Sequence, residues 1–430
     1  MKRVALYLHL PFCRRRCAYC DFNAWQDPGE AARRLYHEAL LADLRREAAR
    51  GPWRVPTIFF GGGTPSLAPP QWIAELLEAC RVGFEVEQDA EITLEANPGT
   101  LGPGHLERLK EAGVNRLSIG VQALDDRLLA GIGRIHSARQ AVQALDQARQ
   151  AGFENLSLDL IYGLPGQTLA DWEATLEQAL ETRPRHVSAY ALILEEGTPL
   201  EASVQRGEVR LPDQDAVADM EGLLRQIMKA AGYRQYEISN WSLPGRECRH
   251  NLVYWANREY LGLGCGAASY LSGWRTRRLA TPERYAQALR EGASPLAEAE
   301  RLGSENALKE TLILALRTRW GVDLGRMARR FEVPAWKLQA FFDGLPGGLV
   351  RRIGRRVRLT ARGRDLANEV FIRLLGTALT LRAPDASSSG GWLRGGVGFL
   401  DSLRDRVLTS PWDAKTDQPE AGGRSWRPEG

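Results

Sequence analysis

Long apolar runs are missing from this chain of 430 residues. None approaches the ~18–20 residues needed to cross a bilayer, which excludes membrane-spanning helices. A secretory signal is missing too: Met1-Lys2-Arg3 and the short segment Val4–Leu10 lead straight into a cysteine motif. Both absences predict a cytoplasmic protein. A large charge excess is lacking. The net charge of +4 is too small to argue for nucleic acid as a partner. Cysteine is scarce, with six residues. Cys80, Cys248 and Cys265 are scattered and read as core or loop thiols. What remains is ordinary for a globular protein, with 44% hydrophobic and 26% charged residues. The length allows a large domain and a smaller one.

The other three cysteines are grouped. Cys13, Cys17 and Cys20 follow a C-x3-C-x2-C spacing. Clustered thiols in a reducing compartment are more often metal ligands or catalytic groups than disulfides. A closed zinc site needs four ligands, so it would require Cys248 or a histidine from elsewhere. Three thiolates alone suit a [4Fe-4S] cluster with one iron left open to a non-protein ligand.

Six short, mostly apolar segments recur between helical patterns: 4–10, 57–60, 91–95, 116–121, 155–161 and 186–194. Helical content lies at 31–50, 71–80, 104–112, 138–151 and 169–181. This alternation implies βαβ units and a parallel sheet. Six units are too few for a closed eight-fold barrel, so the expected fold class is α/β, a partial parallel (β/α)6 barrel. The unusual residues sit at the downstream strand ends: the cysteine loop, Gly61-Gly62-Gly63-Thr64-Pro65, Glu95-Ala96-Asn97-Pro98, Gly120-Val121-Gln122, Asp159 to Pro165, and Tyr190-Ala191. Barrel enzymes place their chemistry there. The glycines would let backbone approach a ligand closely. The expected domains are a barrel with an added layer over 1–300, a winged-helix-like unit over 301–376 and a disordered tail over 377–430. From Arg317 to Arg364 there are 13 Lys/Arg against three acids. With only a short, arginine-dominated helix at 324–331 to read bases, that stretch is read as a cover for the barrel or a docking face, without nucleic acid.

Tyr7-x-His9-x-Pro-Phe-Cys13-x3-Cys17-x-Tyr19-Cys20, together with the glycine run, resembles the radical S-adenosylmethionine (SAM) superfamily. Within it the chain is similar to the group around oxygen-independent coproporphyrinogen III oxidase, over roughly residues 4–375. The resemblance implies a [4Fe-4S] cluster on Cys13, Cys17 and Cys20, with SAM on the open iron. It implies SAM contacts from Tyr7, Tyr19, Gly62, Gly63, Thr64, Glu95, Gln122, Arg134, Asp159 and Ala191. The side chains suit this: carboxylates for ribose hydroxyls or an ammonium group, and Arg134 for a carboxylate.

Two departures turn the reading. The oxidase pattern carries a further cysteine where this chain has Phe22, and an N-terminal arm before Tyr7 is expected to be absent. Both departures resemble the HemW-type heme chaperones, whose marker His-Asn-x-x-Tyr-Trp is matched by His250-Asn251-Leu-Val-Tyr254-Trp255. A neutral imidazole can ligate heme iron, and Tyr254 and Trp255 offer flat faces to a macrocycle. No Cys-x-x-Cys-His occurs, so covalent attachment of heme is not supported. The resemblance implies a chaperone that passes heme to an acceptor protein and draws on a reductant, as a monomer or dimer, with peripheral membrane contact only through the acceptor. The alternatives are the oxidase itself, and a radical enzyme acting on another substrate.

Overall fold

The computed structural model describes residues 1–379. The expected tail from 380 onward lies outside the described residues. Six parallel strands form the body: β1 (Ala5–Leu10), β2 (Trp53–Gly62), β3 (Glu85–Ala96), β4 (Arg116–Gln122), β5 (Asn155–Tyr162) and β6 (His186–Ala191). Their alternation has an unusual sense. One face of each strand is apolar and fully buried, as in Leu6 and Leu8, Ile58 and Phe60, Leu117 and Ile119, or Leu156, Leu158 and Leu160. That face packs into a continuous core with the helices outside. The opposite face carries Tyr7, His9, Thr57, Glu95, Arg116, Ser118, Ser157, Asp159 and His186. Side chains alternate along a strand, so this polar set lines the inside of the curved sheet.

The helices run α1 (Glu30–Ala48), α2 (Pro70–Gly83), α3 (Pro103–Ala112), α4 (Asp126–Gly131), α5 (Ala138–Gln150) and α6 (Leu169–Glu181). Local signals set their ends. Ser137 with Gln140, and Thr168 with Asp171, form reciprocal capping boxes. Gly113 closes α3 at φ +110°. Ala141, Ala144, Leu145 and Ala148 make the buried stripe of α5, at the spacing of one helical face.

After α7 (Pro199–Gln205) and α8 (Gln214–Ala230), the chain returns twice to the sheet. The antiparallel pair β7 (Arg234–Glu237) and β8 (Asn240–Ser242) extends it beyond β6. Helix α9 (Arg249–Trp255) precedes β9 (Tyr260–Leu263), which pairs parallel with β1 on the other side. The glycine-containing segment 262–266 begins inside this strand. The sixth strand also ends at Ala191, short of the expected 194. Antiparallel β10 (Ala268–Leu271), β11 (Trp274–Arg278) and β12 (Leu296–Arg301) complete the edge, with α10 (Pro282–Arg290) between the last two. The order β7-β8-β6-β5-β4-β3-β2-β1-β9-β10-β11-β12 does not close on itself among the described residues. The fold is a partial parallel barrel with antiparallel extensions.

The C-terminal unit has its own core, including Leu308, Leu312, Leu338, Phe342 and Phe371. Its order is α11 (Ser304–Leu316), β13 (Val322–Asp323), α12 (Leu324–Phe331), α13 (Ala335–Asp343), then the hairpin β14 (Val350–Ile353) and β15 (Arg356–Leu359). That is a winged-helix arrangement. Two helices that meet at Leu366 follow, α14 (Ala361–Asp365) and α15 (Ala367–Gly376). Ion pairs tie the unit to the barrel: Arg275 with fully buried Glu310 at 2.7 Å, Arg317 with Glu237 at 2.7 Å, and Arg225 with Asp365.

Candidate functional site

The cysteine loop follows β1 directly. Cys13 is buried, Cys17 and Cys20 are half-buried, and all three thiols are free. Polar hydrogens point at two of the sulfurs: Thr64 Oγ1 donates to Cys13 Sγ at 3.3 Å, and Arg134 Nη1 donates to Cys17 Sγ at 3.5 Å. Burial raises the Cys13 and Cys20 thiols above their usual range. A bound metal reverses that preference and deprotonates its thiols. No three His, Cys, Asp or Glu side chains converge on one ion among the described residues. A cubane cluster takes each thiolate on a different iron, and three cysteines on one loop can supply them. Cys248, the candidate fourth zinc ligand, lies toward the other end of the strands, donating to Glu91 Oε1 at 3.6 Å. The loop therefore fits a cluster with one iron open.

The glycine run also has a local packing cause. A Cβ on Gly61 would meet the Tyr7 ring at 2.8 Å, and one on Gly62 the His9 ring at 2.7 Å. A Cβ on Gly63 would overlap the Pro11 carbonyl. Gly62 also holds φ +120°, which side chains disfavour. The glycines let β2 lie against the strand that launches the cysteine loop, fixing the loop to the barrel rim.

Around that rim the structure gathers most of the expected side chains. Glu95 Oε2 accepts from the Gly62 amide at 3.2 Å. Burial, then the nearby Asp159 carboxylate, pushes the Glu95 carboxyl up to about 8. Asp159 is raised by burial and accepts from Ser118 Oγ at 3.1 Å. Arg134 donates to Asn97 Oδ1 at 2.6 Å and to the Gly120 carbonyl at 2.5 Å. Asn97 Nδ2 in turn donates to Thr64 Oγ1 at 2.9 Å. Gln122 sits at φ +68°, beside an irregularity in the β4–β5 register. Such strain at a strand end accompanies functional sites. Tyr7 shares a 3.0 Å hydrogen bond with His9 Nδ1, while His9 Nε2 reaches the Asn23 carbonyl at 2.8 Å. That carbonyl can only accept, so Nε2 carries the proton and the Tyr7 hydroxyl donates to Nδ1. Burial lowers His9 to about 4, keeping it neutral. Tyr19 packs beside Cys17 and Arg134, and Ala191 closes β6 opposite Tyr162. Asn97 and His9 were not among the expected contacts. Both stood inside motifs already singled out, two residues from Glu95 and Tyr7.

The His250 segment is elsewhere. It forms α9 across the upstream ends of the strands. Glu91 holds it there, accepting from the backbone amides of His250 and Arg249 at 3.0 Å each. His250 is fully buried. Its Nδ1 meets Thr57 Oγ1 and its Nε2 meets the Tyr254 hydroxyl, both at 2.9 Å. Burial lowers its pKa to about 3, so the ring is neutral. The expectation of a ready iron ligand does not match this geometry, because both ring nitrogens are engaged. Tyr254 points inward with His250, edge-on to Tyr260. Trp255 is half-buried with the Arg317 guanidinium 4.9 Å from its ring, and Asn251 is half-buried.

Two separated sites on one such frame narrow the comparison with known proteins. The heme chaperone HemW of Mycobacterium tuberculosis H37Rv is 39% identical over 375 residues, covering 86% of this chain and 94% of that protein. The chain belongs to the HemW family. The HemW of Bacillus subtilis is 37% identical over 377 residues, covering 98% of its length. Residues 7–179 match the radical SAM superfamily and residues 302–366 the HemN C-terminal domain. The solved coproporphyrinogen III oxidase HemN of Escherichia coli, described as a radical SAM enzyme, overlays with a TM-score of 0.75 at 24% identity. The overlay covers 87% of this chain and 90% of that one, and so shares the fold. Membership of the superfamily implies a [4Fe-4S] cluster and SAM, which the cysteine loop and barrel rim fit.

Proposed function

We propose that this chain is a heme chaperone, which binds heme and hands it to an acceptor protein. The observation that carries this is the complete His250-Asn251-x-x-Tyr254-Trp255 marker in a chain that spans nearly the whole of its HemW relatives. Phe22, 63% exposed where the oxidase pattern has a cysteine, favours the chaperone over the oxidase.

In this reading Cys13, Cys17 and Cys20 would hold the [4Fe-4S] cluster, which would supply an electron to SAM bound beside it. Gly62, Gly63 and Thr64 take the methionyl end through their backbone. Arg134, fixed by Asn97 and Gly120, faces the carboxylate. Glu95 and Asp159 accept from the ammonium group or ribose hydroxyls. Tyr7, Tyr19, Gln122 and Ala191 complete the wall. Heme is held at the opposite end, beside the His250 segment. Ligation of iron by His250 requires the hydroxyl of Tyr254 or Thr57 to let go. The cluster and SAM then set the state of the chaperone. A separate protein supplies the reductant. No helix of the described residues is long and apolar enough to cross a membrane.

The test is an anaerobic assay of the cluster-reconstituted protein with coproporphyrinogen III, SAM and dithionite. The expected result is no accumulation of protoporphyrinogen. Sustained turnover would instead establish the oxidase reading.

A further inference from the structure

A cleft of about 1020 Å³ opens between the outer face of α9 and the winged-helix unit. It is far from the cysteine loop. Its size is at the upper end of small-molecule sites, ~300–1,000 Å³. Its walls have two kinds of chemistry. One is apolar and aromatic: Leu252, Val253 and Trp255 from α9 and the buried thioether of Met327 from α12, with Trp320 at the edge. The other is cationic. Six arginines line the cleft against two carboxylates, Glu259 and Asp323.

The two carboxylates are already occupied. Glu259 accepts from the Ser272 amide at 2.7 Å, and Asp323 caps α12 through the Arg326 amide at 2.9 Å. Arg3 and Arg249 are paired with Glu87 and Asp89 outside the cleft. The remaining four, Arg258, Arg326, Arg330 and Arg356, have no carboxylate within ion-pair distance among the described residues. Arg330 reaches the Asn257 carbonyl at 3.4 Å and Arg356 the Trp320 carbonyl at 3.2 Å, which leaves guanidinium donors free. An apolar slot rimmed by unpaired guanidinium groups is complementary to a flat, apolar dianion.

We infer that this cleft is the seat of the porphyrin, with the macrocycle between α9 and α12 and its two propionates on Arg258, Arg326, Arg330 and Arg356. The inference rests on the heme-chaperone reading and deepens it. It also gives the arginine-rich stretch a specific task. The macrocycle is held by its faces and its carboxylates, so binding does not need an iron ligand. Thr57 lines both the cleft and His250, so the imidazole lies one hydroxyl behind the wall.

The test uses the full chain and two probes, hemin followed by absorbance and metal-free protoporphyrin IX followed by fluorescence. Arg326→Glu/Arg330→Glu reverses two exposed charges, and Arg258→Glu reverses a third from the barrel side. Each is expected to raise the dissociation constant of both probes at least about tenfold. Arg139→Glu, on exposed α5, is expected to leave both unchanged. Protoporphyrin dimethyl ester, which lacks the carboxylates, is expected to bind wild type and variants alike. Undiminished binding of hemin and protoporphyrin by all the cleft variants would overturn the cleft while leaving the chaperone reading intact. Failure of wild type to bind hemin saturably would instead bring down the chaperone reading, and the cleft with it.

Discussion

Glu95 is an acid held in a lumen that disfavours its charge. Its carboxyl is pushed up to about 8 from an ordinary 4.5, by burial and by Asp159. The folded state therefore binds more protons than the unfolded state between those values. Its contribution to stability falls as pH rises from about 4.5 to about 8 and is level beyond. Glu95→Gln mimics the neutral acid, so it should leave stability near wild type at pH 5 and raise it at pH 9. The lumen is partly open to water, which limits the gain to about 1–3 kcal/mol. Urea melts of the two proteins at both pH values measure this. At this scale the positions of Cys13, Cys17, Cys20, Glu95 and Arg134 were legible, and the structure brings them to one rim, with Arg134 donating to Cys17 and Glu95 accepting from Gly62. The sequence was uninformative about His250, since whether an imidazole is open or closed depends on Thr57, 193 residues away.

Strands and helices followed the sequence closely, because a two-residue alternation and a helical stripe are local properties. The five long helices lie close to where the pattern put them, and the six parallel strands cover most of their expected segments, although β2 and β3 begin earlier, at Trp53 and Glu85, and β6 stops at Ala191. The strand β9 was not legible. Its glycines resemble a turn, and only its pairing with β1 makes it a strand. The glycine run was legible as a motif but its cause was not, since the atoms that forbid a side chain belong to the neighbouring segment. Gly63→Ala places a methyl group against the Pro11 backbone carbonyl, which cannot move without the cysteine loop. It should reduce iron and sulfide per chain after reconstitution by at least about half, with the barrel still folded by circular dichroism. Glu91→Ala removes the two backbone hydrogen bonds that anchor the start of α9, and with them the contact from the Cys248 thiol. Hydrogen bonds to a charged acceptor contribute about 1.5–3 kcal/mol, so a loss of about 2–3 kcal/mol is expected, with faster amide exchange confined to 249–255.

Across the whole molecule, the barrel and the winged-helix unit are joined through paired charges. Glu310 is fully buried, and it holds Arg275 at 2.7 Å and Asn257 at 3.2 Å. Glu310→Gln removes the carboxylate that Arg275 and Asn257 share and should cost about 1–3 kcal/mol in the unfolding of the C-terminal unit, read by urea denaturation. Local patterning gave no sign of this joint, because its partners are separated by tens of residues and meet only in the assembled fold. Asn257, held by this joint, is among the residues that line the space between α9 and α12. In the proposed chaperone this frame holds heme at the end of the barrel opposite its cysteine loop. Titration of hemin into the cluster-reconstituted protein under anaerobic conditions tests it most directly. The account predicts a saturable complex of one hemin per chain, retained when Cys17→Ser removes the cluster. A linear, non-saturating absorbance change, or a complex lost with the cluster, would contradict it.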